Sequence, residues 1–272
     1  MVTQIQQAER FLALHHQPQP LLLPNPWDTG SAKLLAWLGF SALATTSSGF
    51  AATVGRLDGN VTRDQALAHA AAIVEATDLP VSADLENGFT DSPAGVAETM
   101  ELAAGAGLAG CSVEDFTGDP ANPIYEKSLA ADRIAAAAEV TASGPVRLIL
   151  TARAENHLHG RPDLADTIAR LQAYQEAGAD VLYAPGLTDL ADIRQVVASV
   201  DLPVNVLALP GGPPVSELAA AGVRRVSVGG AFAFAALGAV VQAATELREQ
   251  GTYGYGTLTA VGRAAANEAF TG

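Results

Sequence analysis

The sequence predicts an α/β fold, a (β/α)8 TIM barrel with an extra C-terminal helical region. Three observations lead there. Eight short apolar runs alternate with helical patterns along the 272 residues. A helix-like segment that ends in Gly and passes at once into a strand recurs at Leu38-Gly39-Phe40, Gly105–Gly110, Ala177-Gly178-Ala179 and Ala221-Gly222-Val223. Polar side chains gather after the strands and are scarce before them.

In chain order, strands are expected near 21–24, 41–46, 80–84, 109–113, 146–151, 180–184, 202–207 and 224–228. Helices are expected near 29–38, 62–77, 92–106, 128–142, 163–177, 187–199, 214–221 and 230–249. Gly just past a helix end supplies the left-handed residue that terminates it. Asp78-Leu79-Pro80-Val81 and Asp201-Leu202-Pro203-Val204 each open a strand. Strands alternating with helices imply parallel pairing, and short apolar strands suit a sheet covered on both faces. Eight such units at this length fit a closed barrel, which typically takes about 250 residues. The alternative is an open doubly wound sheet. It calls for a Gly-rich dinucleotide fingerprint after the first strand, and Pro24-Asn25-Pro26-Trp27-Asp28 is nothing like one. A ninth helical piece, near 257–270, is left over. Residues 1–250 therefore read as one barrel domain and 251–272 as an extension.

Composition narrows the function. The chain is 49% hydrophobic with one Cys, and 15 basic against 29 acidic residues leave a formal charge of −14. So apolar a chain is not disordered. One Cys excludes a disulfide scaffold and points to a reducing, cytoplasmic setting. The acidic balance disfavours nucleic acid and anionic membranes as partners. The first 14 residues lack a basic-then-apolar targeting layout. The apolar stretch 231–244 is shorter than the roughly 20 residues of a membrane span, so a packed helix is expected there.

In this barrel class active sites lie at the carboxyl ends of the strands. Strand 2 runs into Thr45-Thr46-Ser47-Ser48-Gly49, with Asp58 in the next loop. Strand 3 ends in Asp84-Leu85-Glu86-Asn87-Gly88, strand 4 in Glu114-Asp115 and strand 5 in Arg153-Ala154-Glu155-Asn156-His157, and strand 7 holds Asn205. Asp84 and Glu86, two apart on a strand, are expected to face the same side. Three carboxylates at one rim repel unless something positive sits among them. Helix capping or pairing with Arg would answer that. So would a hard divalent cation such as Mg2+, with Mn2+ as a substitute, held by oxygen ligands and water. The three acids together favour the metal. Arg153 can hold a substrate carboxylate or bridge to Glu86 or Glu114. Ser47, Ser48 and Gly49 can offer hydroxyls and amides to an anion, or form an ordinary turn. Cys111 reads as core. The pairs His15/His16 and His157/His159 read as solvated. Gly229-Gly230 follows strand 8, where barrels often bind phosphate, and close packing explains it equally well.

These residues in this order resemble the isocitrate lyase/phosphoenolpyruvate mutase superfamily over residues 22–236. The resemblance rests on Thr46-Ser47-Ser48-Gly49, Asp58, Asp84-Leu85-Glu86-Asn87-Gly88, Val113-Glu114-Asp115 and Thr151-Ala152-Arg153. It implies a (β/α)8 barrel, Mg2+, and chemistry that makes or breaks a C–C or P–C bond beside the carboxylate of a small 2-oxo acid. It implies that Asp84 ligates the metal directly, with Glu86 and Glu114 acting on its waters. It also implies that Arg153 and the Ser47–Gly49 turn hold substrate and that Asp58 lies near the reacting end. Members commonly exchange their C-terminal helices within dimers or tetramers, so a homo-oligomer is expected. Glu86 departs from the more usual Asp. A larger departure lies in the loop after strand 4. The lyases carry Lys-Arg-Cys-Gly-His there, and residues 116–127 have neither Cys nor His. An oxaloacetate decarboxylase-like reaction is the leading expectation. The alternatives are phosphonopyruvate hydrolase-like or phosphoenolpyruvate mutase-like activity, or an oxo-acid-binding barrel without catalysis.

Overall fold

The computed structural model describes residues 2–271. Eight parallel strands form one sheet in the order β1-β8-β7-β6-β5-β4-β3-β2. They are β1 (Leu21–Leu23), β2 (Leu43–Ala44), β3 (Val81–Asp84), β4 (Gly110–Glu114), β5 (Ile149–Arg153), β6 (Val181–Tyr183), β7 (Val204–Leu207) and β8 (Arg225–Ser227). The remaining seam, between β1 and β2, is crossed by the Ala44 amide, which donates to the Pro24 carbonyl at 3.1 Å. The (β/α)8 barrel is thereby nearly closed.

Side chains alternate between its two faces. Outward-facing Val81, Ala83, Cys111, Val113, Leu150, Ala152, Leu182, Val204 and Val226 form the main core with the surrounding helices. Inside the barrel, Leu21, Leu23, Ala42, Ala44, Ala109, Ile149 and Val181 fill the amino-terminal half. Cys111 is fully buried in the core, where burial pushes its thiol up to about 12.

The helices are α1 (Gln4–Leu14), α2 (Thr29–Trp37), α3 (Ser47–Thr53), α4 (Arg63–Glu75), α5 (Pro93–Gly105), α6 (Lys127–Ser143), α7 (Leu164–Glu176), α8 (Leu190–Ala198), α9 (Val215–Ala220), α10 (Ala231–Gln250) and α11 (Gly256–Ala269). Two of these were not expected. Helix α1, started by a Thr3–Gln6 capping box, shuts the amino-terminal mouth, and its Phe11 is fully buried in the interior cluster. Helix α3 begins in what reads as a turn, and the Thr46 side chain caps it by accepting from the Gly49 amide.

His15 corrects the expectation of a solvated histidine, because it is 1% exposed. Its Nδ1 lies 2.8 Å from the Phe11 carbonyl and its Nε2 lies 3.3 Å from Arg225 Nη1. A carbonyl can only accept and a guanidinium only donate, so the ring is the neutral Nδ1–H tautomer. Burial, then Arg225, hold its pKa down at about 3. The unfolded chain protonates this ring below about pH 6.5, while the folded chain resists protonation until about pH 3. This contribution to stability is intact above pH 6.5 and shrinks as pH falls toward 3. One unit below the unfolded pKa the loss is about 1.4 kcal/mol. His15→Gln is expected to flatten the denaturation free energy between pH 6.5 and 4. An unchanged dependence on pH in urea titrations would contradict a neutral, buried His15.

The C-terminal part also departs from expectation. The stretch 231–244 belongs to a 20-residue helix, α10, of which only Ala233 is buried. Only its first turn, at Ala233, packs on its own barrel. By length and composition α10 could cross a membrane, with a mean hydropathy of 1.2. Phe232, Phe234, Leu237, Val240 and Val241 are exposed along it. The chain then turns back, and α11 packs against α2. Meanwhile Leu22, in mid-strand on the outer face of β1, stays 43% exposed. A strand of a parallel barrel is normally covered on both faces. A groove of about 320 Å3 opens there, lined by Leu14, Leu22, Leu38 and Phe40 among others.

Candidate active site

The strands deliver their polar residues to one cavity of about 180 Å3 at the carboxyl end. Asp84 ends β3, Glu114 ends β4 and Arg153 ends β5. Parallel register sets Asp84 beside Ser112, and Glu114 beside Arg153. Arg153 is the hub. Its Nη1 donates to Asp84 Oδ1 at 2.9 Å, its Nη2 lies 3.0 Å from Glu114 Oε2, and its Nε donates to Glu155 Oε1 at 2.8 Å. Burial works against its charge, but Glu114, Glu155 and Asp84 together hold its pKa well above the ordinary value. One guanidinium cannot neutralise three buried carboxylates. Burial therefore pushes Glu114 and Glu155 above the usual carboxylate range despite the pairing.

Glu155 was not singled out from the sequence. The signal was its place two residues after Arg153, which put both at the same strand end. A further acid, Asp115, braces this layer from behind. It accepts from the Glu155 amide at 2.8 Å, from Arg170 at 3.1 Å and from the Tyr174 hydroxyl at 2.5 Å.

The expectation that Asp84 and Glu86 share a strand face, drawn from their spacing, is not met. The strand stops at Asp84, and Glu86 takes a left-handed backbone, φ +48°. Such a conformation is uncommon outside glycine and marks a position held by its surroundings. The Glu86 amide turns back to Asp84 Oδ1 at 3.3 Å. Its buried Oε1 has no hydrogen-bond partner. Burial, then Asp84 and Asp58, push its carboxyl up to about 8.

Helix α3 directs its first amide into the site, Ser47 N–H to Asp84 Oδ2 at 3.2 Å. Ser47, Ser48 and Asp58 line the cavity. Asp58 stands on the loop at its mouth. Desolvation there raises its carboxyl above the usual range, against the favourable Ser47 hydroxyl. The Gly49 amide is not free for a ligand, because Thr46 Oγ1 accepts it at 3.3 Å. Gly49 serves packing instead: a Cβ there would stand 2.6 Å from Thr46 Cγ2 and 3.2 Å from Ala233 and Trp27. The amides of Val228 and Gly229 are likewise taken, both by Asn25 Oδ1. Asn205 lies inside the barrel below the rim and donates to Ser227 Oγ at 2.9 Å. His159 is half-buried and stacks on Phe116, with centroids 3.8 Å apart, and His157 is half-buried beside it.

The donor set was read as Asp84, Glu86 and Glu114 around a metal. Glu114 also pairs with Arg153 through Oε2, and the role read for it, through metal-bound water and not as a direct ligand, is compatible with that pairing. Among the described residues no three His, Cys, Asp or Glu side chains converge to coordinate a metal directly. A carboxylate offers about four lone-pair positions, and Asp84 uses three, on Ser47, Arg153 and Glu86. One position remains, on Oδ2, and Asp84 and Glu86 line one small pocket. Hard oxygen donors, few of them and in carboxylate excess, suit Mg2+, which keeps most of its water.

A polar, charge-rich mouth at the carboxyl ends of the strands of a (β/α)8 barrel is where enzymes of this fold place their active sites. The phosphoenolpyruvate phosphomutase family model matches residues 11–248. The chain belongs to this family, within the isocitrate lyase/phosphoenolpyruvate mutase superfamily of lyases and mutases. It is 57% identical to a protein from Burkholderia cenocepacia J2315 provisionally named a lyase/mutase, whose crystal structure aligns with a TM-score of 0.90 over 92% of this chain and 90% of that one. It is 34% identical to the uncharacterized protein Rv1998c of Mycobacterium tuberculosis H37Rv, over 86% of this chain and 87% of that protein. It is 32% identical to 2-methylisocitrate lyase of Escherichia coli K12, over 71% and 67%. It is 28% identical to oxaloacetate decarboxylase of Marinomonas sp. MWYL1, over 87% and 82%.

Proposed function

We propose that the protein is a Mg2+-dependent carbon–carbon lyase for a small 2-oxo acid, most simply a decarboxylase of oxaloacetate type. One observation carries this reading: a single cavity joins Ser47, the Asp84 carboxylate and the Arg153 hub, and a small pocket sharing Ser47 and Asp84 with it reaches Glu86, whose Oε1 is orphaned. Asp84, with Glu86 acting through water, would hold the cation, which supplies Lewis-acid stabilisation of negative charge on the substrate. The chain's own groups do the rest. Arg153 fixes the Asp84, Glu114 and Glu155 carboxylates in place. The Ser47 and Ser48 hydroxyls, which line the cavity, orient an acid group there, while the Ser47 amide holds Asp84. Asp58, its carboxyl raised by desolvation, can keep a proton at the mouth for the carbon that loses its substituent. Decarboxylation breaks the C3–C4 bond, leaves an enolate and needs one proton at C3. No cysteine acid is required, which matches the loop between Asp115 and Lys127, closed by a Phe116–Ile124 bridge and lacking Cys and His. The same absence argues against methylisocitrate cleavage.

The test is a panel of oxaloacetate, phosphonopyruvate and methylisocitrate assayed with Mg2+ or Mn2+, then after chelation. The expected result is pyruvate from oxaloacetate, lost with chelator and restored by either metal. Turnover of phosphonopyruvate alone would move the assignment to P–C chemistry. Full activity without metal would reject it.

The same reading includes a homodimer or homotetramer. The bare face at Leu22 lacks a covering helix, and α10 beyond its first turn is an apolar helix with nothing to cover. Because α11 returns to its own barrel, α10 forms an arm suited to embrace a second copy. Light scattering is expected to give a multiple of 27.8 kDa, and a Val240→Glu, Val241→Glu double variant a monomer. A monomeric wild type, or one that partitions into vesicles instead, would contradict this.

A further inference from the structure

Below the rim the barrel interior holds a second guanidinium. Arg225 on β8 is 4% exposed and lines the same cavity as Arg153. Its Nη1 donates to Thr151 Oγ1 at 3.1 Å and meets neutral His15 at 3.3 Å. Its Nε has no partner, and among the described residues no carboxylate pairs with it. Burial lowers its pKa only to about 10, so it stays charged at neutral pH. Beside it Asn205, 1% exposed, leaves Oδ1 unpartnered. Tyr183 stands between the two cations, its ring centroid 5.2 Å from Arg153 Cζ. Ser82, Ser112 and Ser227 add hydroxyls to the lining.

A buried charge without a counter-ion is costly. Arg153 has its counter-ions, and three of its five N–H groups are spent on them. It has little left for an incoming acid. Arg225 has the reverse: donors, charge, and no acid. We propose that Arg225, with Tyr183 and Ser227, forms an anion subsite in the barrel interior that takes the remote carboxylate of a diacid whose 2-oxo-acid end lies at the rim. This rests on the 2-oxo-acid reading above and narrows it to dicarboxylates. The cavity, about 180 Å3, lies below the roughly 300–1,000 Å3 of drug-sized pockets, so the guest is of about four carbons.

Calorimetric titration of the whole protein with Mg2+ tests it, using oxalate, 2-oxobutyrate and 3,3-difluorooxaloacetate, an unreactive four-carbon diacid. The wild type is expected to bind the diacid at least tenfold more tightly than 2-oxobutyrate. Arg225→Gln should erase that preference and leave oxalate and 2-oxobutyrate within twofold. Arg225→Lys, which keeps a charge, should retain part of it and serves if the glutamine variant does not fold. Equal wild-type affinity for the two four-carbon acids, or a preference that survives Arg225→Gln, would overturn the subsite while oxalate binding keeps the rim reading. No oxalate binding at all would overturn the rim reading itself, and the subsite with it.

Discussion

Arg153→Met is expected to cost the protein more stability than any other single change at the rim. It leaves Asp84, Glu114 and Glu155 converging without their cation. Breaking a buried pair from one side typically costs about 3–5 kcal/mol. For a chain this size each kcal/mol lowers the melting temperature by about 2–4 °C, so calorimetry should show a fall of roughly 6–20 °C. Part of the loss should return in the double variant Arg153→Met, Glu114→Gln, because the second change removes one stranded charge. Non-additivity in that cycle is the signature of direct coupling. Additive losses would mean that Arg153 acts by packing alone. Arg153→Lys should fall between, since an ammonium cannot reproduce a fork that spans three acids.

Asp84→Asn should do the opposite: little to stability, nearly everything to function. The amide keeps the shape and leaves Arg153 with two carboxylates in place of three, so the charge balance at the hub improves. Stability is expected to hold within about 1 kcal/mol, the scale of one hydrogen bond. Turnover should fall on the order of 10^3-fold, because the remaining lone-pair position for a cation goes with the charge. A variant with near wild-type turnover would remove Asp84 from the chemistry. A variant that fails to fold would show that its role is structural.

The contrast between these variants reflects how differently parts of the site were legible in the sequence. The barrel was readable because its strands are punctuated: Gly ends the helices before β2, β4, β6 and β8, and Leu-Pro precedes β3 and β7. Position at strand ends then located Asp84, Glu114 and Arg153. What escaped depends on where the chain goes in three dimensions. Helix α1 precedes the first strand and so lies outside the repeating strand–helix pattern, and Phe11 matters only because a barrel mouth is there to receive it. Helix α3 hides in Thr45-Thr46-Ser47-Ser48-Gly49, which reads as a turn until Thr46 is recognised as its cap. Glu86 reads as strand, and a positive φ is invisible in composition. Arg225 sits in an Arg-Arg pair at the start of β8. Strand alternation sends one outward and one inward, and only barrel closure shows that the inward one meets no acid. His15 escaped for the same reason, since its burial depends on Arg225 lying above it.

On the proposed function, the rim acids hold one divalent cation next to a 2-oxo acid. Paramagnetic titration of the purified protein with Mn2+, with and without oxalate, reads that place directly. One Mn2+ per chain, bound more tightly with oxalate present and lost in Asp84→Asn, is the result expected. Mn2+ binding that ignores both oxalate and the Asp84 substitution would contradict the account.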